Sequence, residues 1–358
     1  MHGWDVRDGR AAKESVWNRE EGLMTQERPE RLLRAVDGAS SILILSHNDP
    51  DPDAIASALA LRYLLLEALN VESIIAYRGI VGRAENRALV RYLGQPLRPL
   101  TSGDLDGQMP IALVDTQPGA GNNALPADSE VSVVIDHHTW RESTAKAAYV
   151  DVRTEAGATS TILTEYLQAS GLEPAPPLAT ALFYGIKTDT RGLSHGAGPA
   201  DTAAYLYLQP LVDAQALAQI EYAQVPASYF QSFASTLKAA RVYDGVVVAY
   251  VGRMAYPDLT AEMARLLLRL EEAQWVVCTG AYQEVLILSV RTQSPTGGAE
   301  EVVQAIVGDE GSAGGHGPMA GGQIPLKGRD PEHVVRLLRE RVLRVLQVPP
   351  ETKGERLV

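Results

Sequence analysis

A single cysteine, Cys278, is all that the 358 residues contain. An intrachain disulfide and a thiolate-rich zinc site are thereby excluded. Cys278 stands in the apolar run Trp275-Val276-Val277-Cys278, with no electropositive or helix-start setting to lower its pKa. It is expected as a small buried hydrophobe rather than a catalytic thiol. Positive charge is also short: 32 Lys and Arg stand against 44 Asp and Glu, a net charge of −12. Binding of long duplex nucleic acid rests largely on phosphate neutralisation, which such a chain does not offer globally. An anionic ligand must then be held locally, by cations and a few arginines. Aromatic residues make up 6% of the chain and no basic run occurs, which argues against a stacking groove for long single strands. No stretch approaches the ~20 apolar residues of a membrane span, and the charged leading residues have no apolar signal core. A soluble cytoplasmic protein without a membrane partner is expected. No Gly-Lys-Ser/Thr triplet is present, so an ATP-binding P-loop is excluded.

What the chain does contain is alternation. Its length exceeds the usual single hydrophobic core, so two domains are the default. Ile42–Leu45, Val71–Tyr77, Ile111–Val114 and Val131–Ile135 read as short buried strands. Helical segments are predicted over Pro29–Val36, Ala54–Leu69, Glu85–Leu93, Ala158–Ser170, Leu178–Lys187 and Ala200–Gln209. Such alternation implies an α/β fold with a mainly parallel, doubly wound sheet covered on both faces. Beyond a helical stretch near residue 213 the pattern changes. Val246–Val251, Trp275–Ala281 and Val285–Val290 read as strands of a smaller α+β domain, with a hairpin at Tyr282-Gln283-Glu284. The expected organisation is an N-terminal extension over 1–38, partly disordered, and a catalytic domain over 39–215. A helical linker over 216–240, a substrate-binding domain over 241–348 and a tail over 349–358 follow.

The predicted strand and helix ends carry acids and imidazoles. His47-Asn48-Asp49-Pro50-Asp51-Pro52-Asp53 follows the first strand, Asp115 follows the Ile111 strand, and Asp136-His137-His138 follows the Val131 strand. Asp189 lies just past an apolar helix. Taken singly, each is more commonly a turn or cap residue. Taken together they converge, because the carboxyl ends of strands in one parallel sheet share one edge. A mixed oxygen and nitrogen donor set without thiolates suits manganese or a similar divalent ion better than structural zinc. Two ions roughly 3.5–4 Å apart can share a bridging carboxylate and hold a hydroxide against phosphorus.

His47-x-x-Pro50-Asp51-x-Asp53, Asp115, Asp136-His137-His138 and Asp189 resemble the four successive motifs of the DHH phosphoesterase family. Gly314-Gly315-His316-Gly317-Pro318-Met319-Ala320-Gly321-Gly322 resembles the glycine-rich signature of the DHH-associated substrate domain. The resemblance runs from about residue 41 to about residue 347 and takes in RecJ-like exonucleases, nanoRNases, phosphoadenosine-phosphate phosphatases and cyclic-di-AMP phosphodiesterases. It implies two Mn2+ ions, with Mg2+ or Co2+ as substitutes. His47, Asp51 and Asp115 would ligate one ion, and Asp53, Asp115, His137 and Asp189 the other. Asp136 would orient His137, and His138 would contact the scissile phosphate or protonate the leaving oxygen. Two departures concern the substrate side: no Arg stands in 116–123, where nanoRNase-like members often have one, and Met319 replaces an Ala.

For the substrate, Gly314, Gly315, Gly321 and Gly322, which flank the expected substrate residue His316, are expected to present backbone N–H groups to phosphate as a nest. Arg291 and, on the same strand face, Ser289 are expected to assist. Arg78, Arg83, Asn86 and Arg87 could extend an anionic cleft. The implied activity is metal-dependent hydrolysis of short oligonucleotides, cyclic dinucleotides, pApA or phosphoadenosine phosphate, with a homodimer left open. The competing readings are a pyrophosphatase or exopolyphosphatase, against which the glycine-rich segment argues, and a non-catalytic nucleotide-sensing module.

Overall fold

A computed structural model describes residues 27–358 apart from 108, 127 and 295, and describes His316 by its backbone alone. Most of the expected N-terminal extension therefore lies outside the described residues. Residues 27–35 form helix α1; Leu32 within it and Val36 just after it are buried. The chain divides into two compact units, one ending at Ala223 and the next beginning at Gln224. The division falls inside the stretch expected as a helical linker.

The first unit is built on a six-stranded sheet: β1 (Ser41–Leu45), β2 (Glu72–Tyr77), β3 (Leu97–Pro99), β4 (Ile111–Val114), β5 (Val133–Asp136) and β6 (Tyr149–Val152). The order is β3-β2-β1-β4-β5-β6, and every pairing is parallel. The apolar runs of β1, β4 and β5 are buried on both faces, as their sequences predict. The chain winds outward from β1 to β3, then restarts at β4 on the other side of β1. The carboxyl ends of β1 and β4 thus flank the point where the winding reverses, the place where open α/β sheets form a crevice. β3 and β6 escape the sequence reading. Both are edge strands; one ends in Pro99, tolerated only at an edge, and the other carries the ion-paired Asp151.

Helices α2 (Pro52–Leu69), α3 (Ala84–Tyr92), α4 (Thr159–Ala169), α5 (Pro176–Asp189), α6 (Pro199–Leu208) and α7 (Ala214–Glu221) complete this unit. α2 starts two residues earlier than predicted, because Pro52 and Asp53 occupy its first turn. Asp51 caps it, accepting from Ala54 N at 3.1 Å, and proline costs nothing there. α2 packs against α4 and α5 and is buried along most of its length.

The second unit contains α8 (Ala227–Ala239), β7 (Arg241–Tyr243), β8 (Val246–Arg253), α9 (Leu259–Leu267), β9 (Trp275–Tyr282) and β10 (Val285–Thr292). α10 (Ala299–Val307), β11 (Ser312–His316), β12 (Met319–Pro325), α11 (Pro331–Val345) and β13 (Glu355–Arg356) follow. Its sheet runs β11-β12-β10-β9-β8-β7-β13, with the β8–β9 pairing parallel. α8 and α9 cover one face around Ala249 and Cys278, and α10 and α11 cover the other around Leu288 and Val290. Cys278 is fully buried and burial pushes its thiol up to about 12, so it is the inert hydrophobe expected.

Candidate metal centre

The loop after β1 is held by its backbone before any ion is considered. Asn48 N donates to Asn122 O at 2.5 Å and Asp49 N to Arg78 O at 2.9 Å. Asp49, at φ 55°, accepts from Ile80 N at 2.8 Å, and Gly79 leaves room for that carboxylate where a Cβ would lie 2.3 Å from it. The buried Asn86 donates to Pro50 O at 3.3 Å. Arg87 donates to Gly82 O. Of the four residues expected to widen an anionic cleft, Asn86 thus braces the Asp51 loop and Arg87 its own helix start.

That loop aims His47 and Asp51 at Asp115. His47 Nδ1 donates to Asn48 O at 2.8 Å, which leaves Nε2 to face Asp51 Oδ1 at 3.6 Å and Asp115 Oδ2 at 3.4 Å. Asp115 follows β4 with φ 59°, a strained backbone for a non-glycine residue. Its second oxygen, Oδ1, faces His137 Nε2 at 3.5 Å and accepts from Thr159 Oγ1 at 2.9 Å. His137 Nε2 also lies 3.5 Å from Asp189 Oδ2, at the end of α5. Gly185, one turn earlier in α5, would carry a Cβ 3.1 Å from Asp53 Cα, so glycine permits this close approach of α5 to the first turn of α2. Asp53 is fully buried; its two oxygens accept from Thr159 N and Ser160 N, each at 2.7 Å, at the start of α4.

The donors gather as His47, Asp51 and Asp115, as Asp53, His137 and Asp189, and as Asp115, His137 and His138, each group within 4.8 Å. All six residues expected as metal ligands are therefore brought together, with the two oxygens of Asp115 directed at different groups. Asp136 departs from expectation. Its Oδ1 accepts from His138 Nδ1 at 2.8 Å and from His137 N at 2.9 Å, so it orients the His138 ring. The His137 ring is set instead by Ala156 O, 3.3 Å from Nδ1.

The electrostatics ask for cations. Burial, then the charges of neighbouring aspartates, pushes Asp53 and Asp189 well above the ordinary carboxylate range. Burial alone would strip the proton from His47, yet Asp115 and Asp51 hold its imidazole well above the usual value. Four aspartates this close cannot all ionise unaided. His137 Nε2 is buried with no hydrogen-bond partner among the described residues, a cost few native groups carry without a purpose. Oxygen and imidazole donors, an orphaned ring nitrogen and a carboxylate with two working oxygens fit divalent cations.

One residue that sequence reasoning missed organises the triplet. Gln117 is buried; its Nε2 donates to Asp136 Oδ2 at 2.7 Å and to Thr139 O at 3.0 Å. Its Oε1 accepts from Arg141 N and Thr144 Oγ1, both at 2.9 Å. A lone glutamine in a turn-like stretch gives no signal of this, because its partners lie some twenty residues on.

In the second unit the glycine-rich segment is an antiparallel hairpin, β11–β12, and not a loop of N–H groups folded into a nest. None of Gly314, Gly315, Gly321 and Gly322 has a positive φ. Register places Ser289, Gly321 and Gly314 side by side across β10, β12 and β11, and places Arg291, Met319 and His316 in the next row of that face. The expected substrate residues other than Gly315 thus share one face, whereas Gly315 pairs with Ala320 in the row between, which faces the other way. A Cβ at Gly314 would meet nothing within 4 Å, and one at Gly321 would come no closer than 3.6 Å to any atom. The patch is open backbone. Arg291 donates to Val290 O at 3.0 Å, and Ser289 is buried with its hydroxyl unbonded among the described residues.

Residues 41–186 match the DHH family, N-terminal domain. An uncharacterized protein of Methanocaldococcus jannaschii is 36% identical over 322 residues, 87% of this chain and 65% of its own length. A protein of Streptococcus pyogenes serotype M5 named "Probable manganese-dependent inorganic pyrophosphatase" is 29% identical over 152 residues, 42% of this chain and 49% of its own. The chain thus spans under two thirds of the first relative and about half of the second. In structure, an exopolyphosphatase-related protein of Bacteroides fragilis superposes with a TM-score of 0.71 at 15% identity, covering 89% of this chain and 96% of that one, which extends the shared fold across most of the molecule. Residues 41–186, whose motif residues gather at one sheet edge, thus form a domain that matches the DHH family, N-terminal domain.

Proposed function

We propose that this chain is a divalent-cation-dependent phosphoesterase that hydrolyses short oligonucleotides, linear or cyclic dinucleotides such as pApA and cyclic-di-AMP, or phosphoadenosine phosphate. The observation that carries the reading is the arrangement around Asp115, whose two oxygens face His47 and His137 at 3.4 and 3.5 Å. His47, Asp51 and Asp115 would hold one cation, and Asp53, Asp115, His137 and Asp189 a second. Such a pair supplies a water-derived nucleophile near neutral pH and neutralises phosphate charge. Asp136, itself held by Gln117, keeps His138 in one orientation. The His138 imidazole is raised to about 9: burial opposes the proton, and Asp136 with Asp115 outweighs it. Held through Nδ1 by Asp136 at 2.8 Å, the His138 ring would be placed to give a proton to a phosphate oxygen or leaving group. Ser289, Arg291, Gly314, Gly315, His316 and Gly321 would receive the rest of the substrate.

A second reading, hydrolysis of pyrophosphate, is favoured by the similarity to the streptococcal protein. A panel of pApA, cyclic-di-AMP, short RNA, phosphoadenosine phosphate and pyrophosphate, run with manganese and with chelator, separates the two. Release of mononucleotides from pApA that chelator abolishes is the expected result. Pyrophosphate turnover alone would replace the proposal with the second reading, and binding without product would replace both with a sensing module.

A further inference from the structure

Tryptophan is seldom left in water, because few side chains gain more from burial. Trp140 is 48% exposed, and it is the exposed tryptophan among the described residues. It follows His138 by two residues, so their Cα atoms lie within ~7 Å of each other. A nucleobase stands one sugar away from its own phosphate, a separation of the same scale.

The backbone on both sides of Trp140 is fixed. Thr139 O accepts from Gln117 Nε2 at 3.0 Å, and Arg141 N donates to Gln117 Oε1 at 2.9 Å. The same Nε2 reaches Asp136 Oδ2 at 2.7 Å. One buried amide therefore ties the acid that orients His138 to the short arch that displays the indole. An exposed apolar side chain on a loose loop would be unremarkable; here the loop is pinned to the catalytic strand end. The remaining large aromatics exposed among the described residues, Tyr222 and Phe230, stand at the end of α7 and in α8, outside every segment that supplies a candidate cation donor.

We infer that Trp140 is a stacking platform for a nucleobase next to the scissile phosphate, which makes the substrate a nucleotide rather than a bare pyrophosphate or polyphosphate. The inference rests on the phosphoesterase reading above. Stacking on an aromatic face contributes about 1–3 kcal/mol per base and tolerates any base, so Trp140 would add affinity with little sequence preference.

Three substrates and three proteins test it: pApA, its abasic analogue with the same phosphates, and pyrophosphate, with the wild type, Trp140→Ala and Trp140→Phe. Trp140→Ala is expected to raise KM for pApA on the order of 10-fold with little change in kcat. Trp140→Phe, which keeps an aromatic face, is expected to restore most of the loss. The abasic analogue offers nothing to stack and is expected to lose far less. Equal losses on pApA and its abasic analogue, no loss on either, or a kcat effect that Phe does not rescue would each overturn the inference alone. Wild-type turnover of pyrophosphate without turnover of pApA would overturn the phosphoesterase reading as well.

Discussion

The two units prepare for a ligand in opposite ways. The first crowds side chains into one corner: His47, Asp51, Asp53, Asp115, His137 and Asp189 project from strand and helix ends, and burial makes their charges costly. The second takes side chains away, leaving Gly314 and Gly321 side by side on an open strand face beside Ser289 and Arg291. The contrast teaches that chemistry and recognition ask different things of a backbone. Chemistry needs fixed donors, so strain at Asp115 is tolerated. Recognition as proposed for the second unit asks instead for close approach, and there the backbone itself is exposed.

The contrast breaks most sharply at Asp115. Asp115→Asn keeps the shape and the left-handed backbone but removes the charge that both donor groups share. Metal-dependent turnover is expected to fall to the no-enzyme rate, while the circular dichroism spectrum is unchanged; initial rates across a manganese titration check it. Retained turnover would show that the two groups act without a shared carboxylate.

A stability experiment asks whether the first unit's polar groups all serve the cations. Asp151 lies in a separate buried network, with Arg153 bidentate at 2.9 and 2.7 Å and Tyr166 OH at 2.5 Å. Burial pushes its carboxyl up, and Arg153 with Tyr166 outweighs that and holds it below the usual range. Its stabilisation is thus fully present above the unfolded value, near pH 4, and is lost as pH falls through the lower folded value. Asp151→Asn is expected to cost about 1–3 kcal/mol, because Arg153 loses its bidentate partner but keeps its ion pair with Glu165. Urea unfolding at pH 7 and pH 3 reads both effects, and the variant should lose less than the wild type on acidification.

The smallest effect belongs to the second unit. A Cβ on Gly315 would lie 2.4 Å from Met319 O and 2.5 Å from Ala320 Cα, both backbone atoms, whereas one on Gly314 meets nothing. Gly315→Ala is expected to cost about 1–3 kcal/mol, and Gly314→Ala to leave stability alone while raising KM. Melting curves beside steady-state kinetics would reveal whether bare backbone at Gly314 serves the ligand or merely the hairpin.

The sequence disclosed the candidate donor cluster because parallel strands advertise themselves as apolar runs and put whatever follows at one edge. His47, Asp115 and His137 needed no tertiary information to be grouped. Edge strands β3 and β6 were hidden, since pairing on one side permits Pro99 and Asp151 where a central strand would not. The β11–β12 hairpin was hidden for a different reason: Ala313-Gly314-Gly315 and Ala320-Gly321-Gly322 have no period of apolar side chains, and pairing with β10 decides their conformation. Gln117 was illegible because its partners are distant in sequence. The resemblance pairs Asp136 with the His137 ring, whereas the turn after β5 presents His138 to its carboxylate, a local geometry that motif matching does not carry.

Asp115 also limits how this chain can change. Its left-handed backbone at φ 59° costs Gly nothing and costs Asn, Asp and His less than other residues. Two donor groups that share one anion require a carboxylate with two available oxygens, which restricts the choice to Asp and Glu. The two sets overlap in a single amino acid. A drift to Glu would meet the backbone filter and a drift to Asn the chemical one, so the position is closed from both sides by independent causes.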